Sequence, residues 1–273
     1  MLGKLLKHEI RHSARYTMAI YGAAFAAMVV TGLSLLFDSG WLGAISCGML
    51  YIIGFAAVVT TLVSIIKNFN DTLFGRQGYL TLTLPVKGSE LLISKVLVSF
   101  LWIVASFGIM GLTFYVIFVY GKERSGGTMD SMWEIISVSG ILDMLPSKTA
   151  IIEFIAVVVI LAISTIITYV GYVYFTVTVA NTRPLQNHPK LYGGLIFFGI
   201  MSFVNTLGNV LSEYLTLTIN VSTEKVFFSF TQMGADPNVL ISYGIGGTIL
   251  SGLVAVGLLF ATGYIIENKV NIK

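Results

Sequence analysis

The sequence predicts an all-α integral membrane protein with six transmembrane helices, and three observations predict it. Six apolar runs, Tyr16–Phe37, Leu42–Ile66, Val96–Tyr120, Ile151–Ala180, Leu191–Leu211 and Val239–Ile266, fill most of the 273 residues. Each meets the length of about 20 helical residues that crosses a hydrocarbon core of about 30 Å. The chain is 56% hydrophobic and only 11% charged, where soluble domains carry about 25% charged residues. Lys and Arg also segregate by connector. With an inner N-terminus, twelve lie on inner segments, and only Lys122, Arg124, Lys148 and Lys225 lie outside. The positive-inside rule then puts both termini in the cytosol.

Residues 1–15 form an amphipathic segment ahead of the first span. At about 100° per residue, Lys4, Lys7, His8, Arg11 and Arg15 fall in one arc opposite Leu2, Leu5, Leu6 and Ile10. This pattern predicts a helix lying in the membrane interface, its basic face toward anionic headgroups. Glu9 interrupts the apolar arc, and two readings are open: it pairs with a cation of an inner loop such as Arg76, or it snorkels to water. The apolar run that follows is longer than a cleavable signal core, so it is read as a retained first helix. The segment 16–273 is then one six-helix membrane domain.

Asp38-Ser39-Gly40-Trp41 reads as a tight outer turn, making spans 1 and 2 an antiparallel hairpin. The inner connector 67–95 is the most distinctive. Phe69, Leu73 and Phe74 share a helical face, Gly75 is a plausible helix stop, and Pro85 blocks helix further on. This reads as a short helix carrying an aromatic knob, either tucked against headgroups or docking a cytosolic partner. Ser89 and Glu90 suit the start of the next helix.

The outer loop 121–149 turns amphipathic over Met132–Leu145. The run Ile151–Ala180 exceeds the bilayer, so tilt or protrusion near Tyr172–Thr178 must absorb the surplus. Glu153 lies in its first turn, as a solvated carboxylate or as part of an ion path. Span 5 carries Ser202, Asn205, Thr206 and Asn209, of which Asn205 and Asn209 share a face. They serve either helix packing or a substrate cavity. The outer loop 212–238 alternates polar and apolar residues over Leu215–Asn220, then presents Phe227, Phe228 and Phe230. In span 6, Gly244, Thr248 and Gly252 repeat at four-residue spacing, as do Gly247, Ser251 and Ala255, which favours close helix approach.

Several chemistries are excluded. No Gly-x-x-x-x-Gly-Lys-Ser/Thr phosphate loop occurs, so ATP has no ordinary cradle in this chain. The histidines His8, His12 and His188 lie at span edges, and the single Cys47 allows no internal disulfide. No base within a span serves a nucleophile, so no enzyme activity and no metal centre are expected. The basic N-terminus is explained by a membrane surface, not by nucleic acid.

The segment Gly78-Tyr79-Leu80-Thr81-Leu82-Thr83-Leu84-Pro85, followed by Leu91-Leu92-Ile93-Ser94-Lys95, resembles the stretch after the coupling helix in type-2 permeases of ATP-binding-cassette (ABC) exporters. The tail Gly263–Asn271 is similar to that family's last span. The resemblance covers nearly the whole chain and implies a type-2 ABC permease fold with an N-terminal elbow helix. It implies a coupling helix at Phe69–Phe74, with Phe69, Asp71, Leu73, Phe74 and Arg76 docking a separate cytosolic ATPase subunit. That partner would hold ATP and Mg, and this chain would need no cofactor. A second permease, a copy or a paralogue, would pair with it. Spans 2 and 5 would line the path, with Thr60, Ser64, Ser202, Asn205 and Asn209 facing it, and segment 212–238 would cover its exit. The expected setting is a bacterial plasma membrane, with lipid as the surrounding partner. The other function carried forward is a non-transporting immunity or sensor component against peptide antibiotics.

Overall fold

A computed structural model describes residues 2–36, 40–75, 78, 88–125, 148–182, 184–185, 187–214, 217–222, 226–230 and 239–269. Arg76, the segment Tyr79–Val86, the turn at Asp38 and Ser39, and Met132–Leu145 lie outside the described residues, as do the side chains of Lys4 and Arg15. The described elements are helices α1 (Leu2–Leu36), α2 (Gly40–Leu73), α3 (Gly88–Ser125), α4 (Lys148–Ala180), α5 (Pro189–Tyr214) and α6 (Gly246–Lys269), with strands β1 (Leu217–Ser222), β2 (Val226–Phe230) and β3 (Val239–Gly244) between α5 and α6. Six of these helices are long and apolar enough to cross a membrane. The protein is a multi-pass membrane protein.

The chain divides into two compact units, Met1–Trp133 and Glu134–Asn271, a finer grouping than the single six-helix domain expected from the sequence. In the first unit, α1, α2 and α3 pack against each other in all three pairings. Large apolar side chains such as Phe25, Tyr51, Ile52 and Phe55 face outward, while Thr17, Thr31, Ser46, Thr61, Ser106 and Thr113 are buried. Those hydroxyls bond back to carbonyls three or four residues earlier in their own helices. Each is satisfied without crossing the seam, so small polar residues line the interior cheaply. The pattern is a water-soluble bundle turned outward, as a lipid solvent requires.

The predicted interfacial helix over residues 1–15 is not a separate element. Leu2–Leu36 is one 35-residue helix. Nothing between Arg11 and Thr17 breaks a helix, and extending an existing helix is easier than nucleating a second one at a bend. The basic arc does survive on its surface, with Lys7, His8 and Arg11 exposed.

The second unit packs α4, α5 and α6 together. Tyr172, Val204 and Ala255 form its buried cluster, and the Tyr172 hydroxyl donates to the Ser251 carbonyl at 3.2 Å. Of the two small-residue stripes in span 6, Gly247/Ser251/Ala255 makes these contacts. A Cβ on Gly208 would sit 3.3 Å from the Gly247 Cα, and one on Gly247 3.3 Å from the Gly208 carbonyl oxygen.

The all-α expectation misses an antiparallel sheet of order β2-β1-β3. The stretch Val239–Gly244, assigned from sequence to span 6, is its third strand. A short apolar run fits either structure by pattern alone. Here pairing with β1 decides, and the Ile245 N–H extends the ladder to the Leu217 carbonyl at 3.1 Å. The helix begins immediately after, at Gly246.

Replacing Gly208 or Gly247 with Leu is expected to cost about 1–3 kcal/mol through overpacking, seen as a lower thermal midpoint of the detergent-solubilised protein. Gly199→Leu, where nothing lies within 4 Å, should leave the midpoint unchanged or raise it. Equal effects at all three positions would contradict the close approach of α5 and α6.

Candidate functional site

The second helix continues well past the apolar run Leu42–Ile66, to Leu73. At 34 residues and about 1.5 Å per residue, it outruns a hydrocarbon core of about 30 Å. At its far end it meets the N-terminal turns of α1 and α3. Lys7, His8, Arg11, Lys67 and Asp71 are exposed around this end, which marks it as the part of the first unit that leaves the lipid.

Inside that charged collar lies a buried ion pair. The Lys95 ammonium donates to Glu9 Oε1 at 2.7 Å, with side-chain exposures of 1% and 9%. A second Lys95 N–H reaches Thr72 Oγ1 at 2.6 Å. The Asn68 amide donates to the other carboxylate oxygen, Oε2, at 3.2 Å. Thr72 in turn donates to the Asn68 carbonyl at 2.6 Å. One carboxylate and one ammonium therefore tie three helices together, and both carboxylate oxygens are engaged. Lys95 also faces the last turn of α2, where the helix dipole favours a cation.

Of the two readings of Glu9, pairing with an inner cation holds, and the cation is Lys95, at the end of the connector 67–95. The stripe Glu9, Ser13, Thr17 is buried on α1, and four-residue spacing carries Glu9 into the seam. On α3, Leu91, Lys95, Val98 and Trp102 share the inward face. Two turns beyond Lys95, the Trp102 indole packs on Tyr21 at 5.9 Å between ring centroids. The Tyr21 hydroxyl lies 3.1 Å from Thr61 Oγ1.

Phe69 and Leu73 do not project as the expected aromatic knob. Phe69 and Leu73 are each 1% exposed, and they belong to the last turns of α2, not to a separate coupling helix. The reason is register: Ala57, Thr61, Ile65, Phe69 and Leu73 recur every four residues, and all are buried. Phe69 and Leu73 anchor the end of the bundle beside the ion pair. Asp71 is exposed and Phe74 half-buried, with the Phe74 ring edge-on to Phe69 at 6.3 Å. Gly75 stops the helix as expected, its N–H returning to the Asn70 carbonyl at 3.1 Å. A Cβ there would lie 2.7 Å from the Asp71 carbonyl oxygen.

The residues expected along a path divide between the units. In the first, Thr60 is half-buried and Ser64 buried; in the second, Ser202, Asn205 and Asn209 are exposed on α5. Glu153 is exposed, and its carboxylate accepts the Val226 N–H at 3.0 Å. It ties the second turn of α4 to the start of β2. Among the described residues no cluster of three or more His, Cys, Asp or Glu side chains is placed to hold a metal ion. The chain shows no significant match to any family model, curated protein or solved structure.

Removing one partner of the pair strands a buried charge. Glu9→Ala or Lys95→Met is expected to destabilise the protein by about 3–5 kcal/mol. The double variant Glu9→Leu/Lys95→Met should recover most of that loss. Thermal unfolding in detergent checks this, and additive losses would contradict the pair's burial.

Proposed function

We propose that this chain is the permease subunit of a multi-subunit ABC exporter, driven by an ATPase on a separate chain. Two lines support the reading. The first is the resemblance of the Gly78–Pro85 and Leu91–Lys95 segments. The second, which carries the transport function, is the outer surface of α5. At about 100° per residue, Ser202, Asn205, Thr206 and Asn209 fall within one arc, and all four are exposed. The opposite face, with Val204 and Gly208, is buried. A carboxamide such as that of Asn205 inside an apolar span is poorly solvated by lipid tails. It suits a water-filled path or a second permease, and both belong to a paired transporter.

In this reading the projecting end of the first unit is the lever. Asp71 and Phe74 offer the contact surface to the ATPase, while Phe69 and Leu73 hold that surface to the bundle. The Glu9–Lys95–Thr72 clamp makes α1, α2 and α3 move together. Nucleotide-driven closure of the partner would then shift the three helices as a rigid body. The partner would bind ATP and Mg; this chain contributes the path and the docking surface.

The test is co-expression with an ATPase encoded beside this chain, followed by purification in detergent. The two should co-purify, and hydrolysis should depend on the permease. Phe74→Ala combined with Asp71→Arg should weaken association by about 2 kcal/mol or more, the scale of an interface hot spot. Asn205→Leu should leave association intact and reduce transport. A chain that needs no nucleotide-hydrolysing partner, or is indifferent to the paired substitution, would refute the proposal.

A further inference from the structure

The sheet of the second unit buries polar side chains of its central strand on one face and exposes aromatic side chains of the flanking strands on the other. An antiparallel sheet in water buries its apolar face and solvates the polar one. Here register places Thr218 opposite Ser229 and Asn220 between Phe227 and Ser242, so four polar side chains share one face with the half-buried Phe227. Thr218 and Asn220 are buried. They satisfy each other within the sheet. Asn220 Nδ2 donates to Thr218 Oγ1 at 3.2 Å and to Ser229 Oγ, and the two hydroxyls lie 3.1 Å apart. On the other face, Phe228 lies opposite Ile219, which lies opposite Tyr243, and Phe230 lies opposite Leu217. Ile219 is covered, yet Phe228 is 65% exposed, Phe230 79% and Tyr243 48%. Two phenylalanines and a tyrosine thus stand out from the strands that flank a covered centre.

Position identifies what meets them. The span of α5 ends at Leu211 and that of α6 begins at Gly246, while the sheet runs from Leu217 to Gly244. Both ends of the sheet are therefore held within a few residues of a helix leaving the hydrocarbon. A bilayer is about 40–45 Å thick including its headgroup regions, against about 30 Å of hydrocarbon. A sheet tethered this closely at both ends stands in the headgroup layer. Tyrosine favours that depth, and phenylalanine the acyl chains just beneath it.

We infer that the face carrying Phe228, Phe230 and Tyr243 is a lipid-interface anchor, inserted at the boundary between headgroups and acyl chains. It fixes the height of the second unit at that membrane surface, while Thr218, Asn220 and Ser229, hydrogen-bonded to one another, lie on the other face. The inference needs only that the protein spans a membrane, so it stands or falls separately from the transport reading.

The test requires removal of only one native cysteine, Cys47. In a Cys47→Ala background, Phe228→Cys, Phe230→Cys and Tyr243→Cys are each labelled with an environment-sensitive fluorophore. The proteins are reconstituted in phosphatidylcholine vesicles carrying nitroxides near the headgroup or deep in the acyl chain. Asp71→Cys serves as the aqueous control and Phe260→Cys as the acyl-chain control. Labels on the sheet should be quenched several-fold more by shallow nitroxides than by deep ones, and only weakly by aqueous iodide. Iodide quenching equal to that at Asp71 would overturn the anchor by putting the face in water. Deep-nitroxide quenching equal to that at Phe260 would overturn its depth. Protection from every quencher would mean that protein covers the face, and would overturn it too.

Discussion

The solvent around this chain is lipid for most of its length, and that constraint arranges nearly everything else. Apolar side chains gain nothing by turning inward when the exterior is equally apolar. What remains to hold helices together is close backbone approach, back-bonded hydroxyls and a few charge-assisted contacts. The first unit uses Thr31, Thr61, Ser106 and Thr113 in its seam. The second uses the Gly208–Gly247 contact and the Tyr172 hydroxyl. The sheet follows the same rule in part, with Thr218 and Asn220 buried and Phe228 and Phe230 exposed.

Against that background, the Glu9–Lys95 pair is the exception that defines an end of the bundle. Full burial of both groups carries a large desolvation cost, offset only because each makes further hydrogen bonds. Such a pair adds little net stability over an apolar substitute, but it penalises any separation of the helices that share it. A three-helix end that cannot come apart is what a mechanical lever requires. This links the ion pair to the proposed transport function, in which force enters at Asp71 and Phe74.

The number of spans and most of their extents were legible in the sequence, because length and apolarity are strong signals. The stop at Gly75 and the close-packing stripe through Gly247, Ser251 and Ala255 were legible for the same reason: each rests on local geometry. Tertiary partners were less so: that Glu9 meets an inner cation was legible, but not that the cation is Lys95. Lys95 stands at the head of the run Val96–Tyr120 and reads as an interface cation. Its place on one face with Leu91, Val98 and Trp102 was the available signal. Phe69 and Leu73 read as a projecting knob because they follow Lys67, but four-residue continuity from Ala57 carries them inward. The first strand left an alternating trace. The third did not, since Val239–Tyr243 merges without a break into the apolar run of α6.

The central claim is that the clamped end of the first unit faces the cytosol, where a soluble motor would push on it. Labelling with a membrane-impermeant maleimide, at Asp71→Cys in a Cys47→Ala background, tests that claim most directly. The account predicts no modification in intact cells and full modification once the membrane is permeabilised. Modification of intact cells would place this end outside and contradict the account.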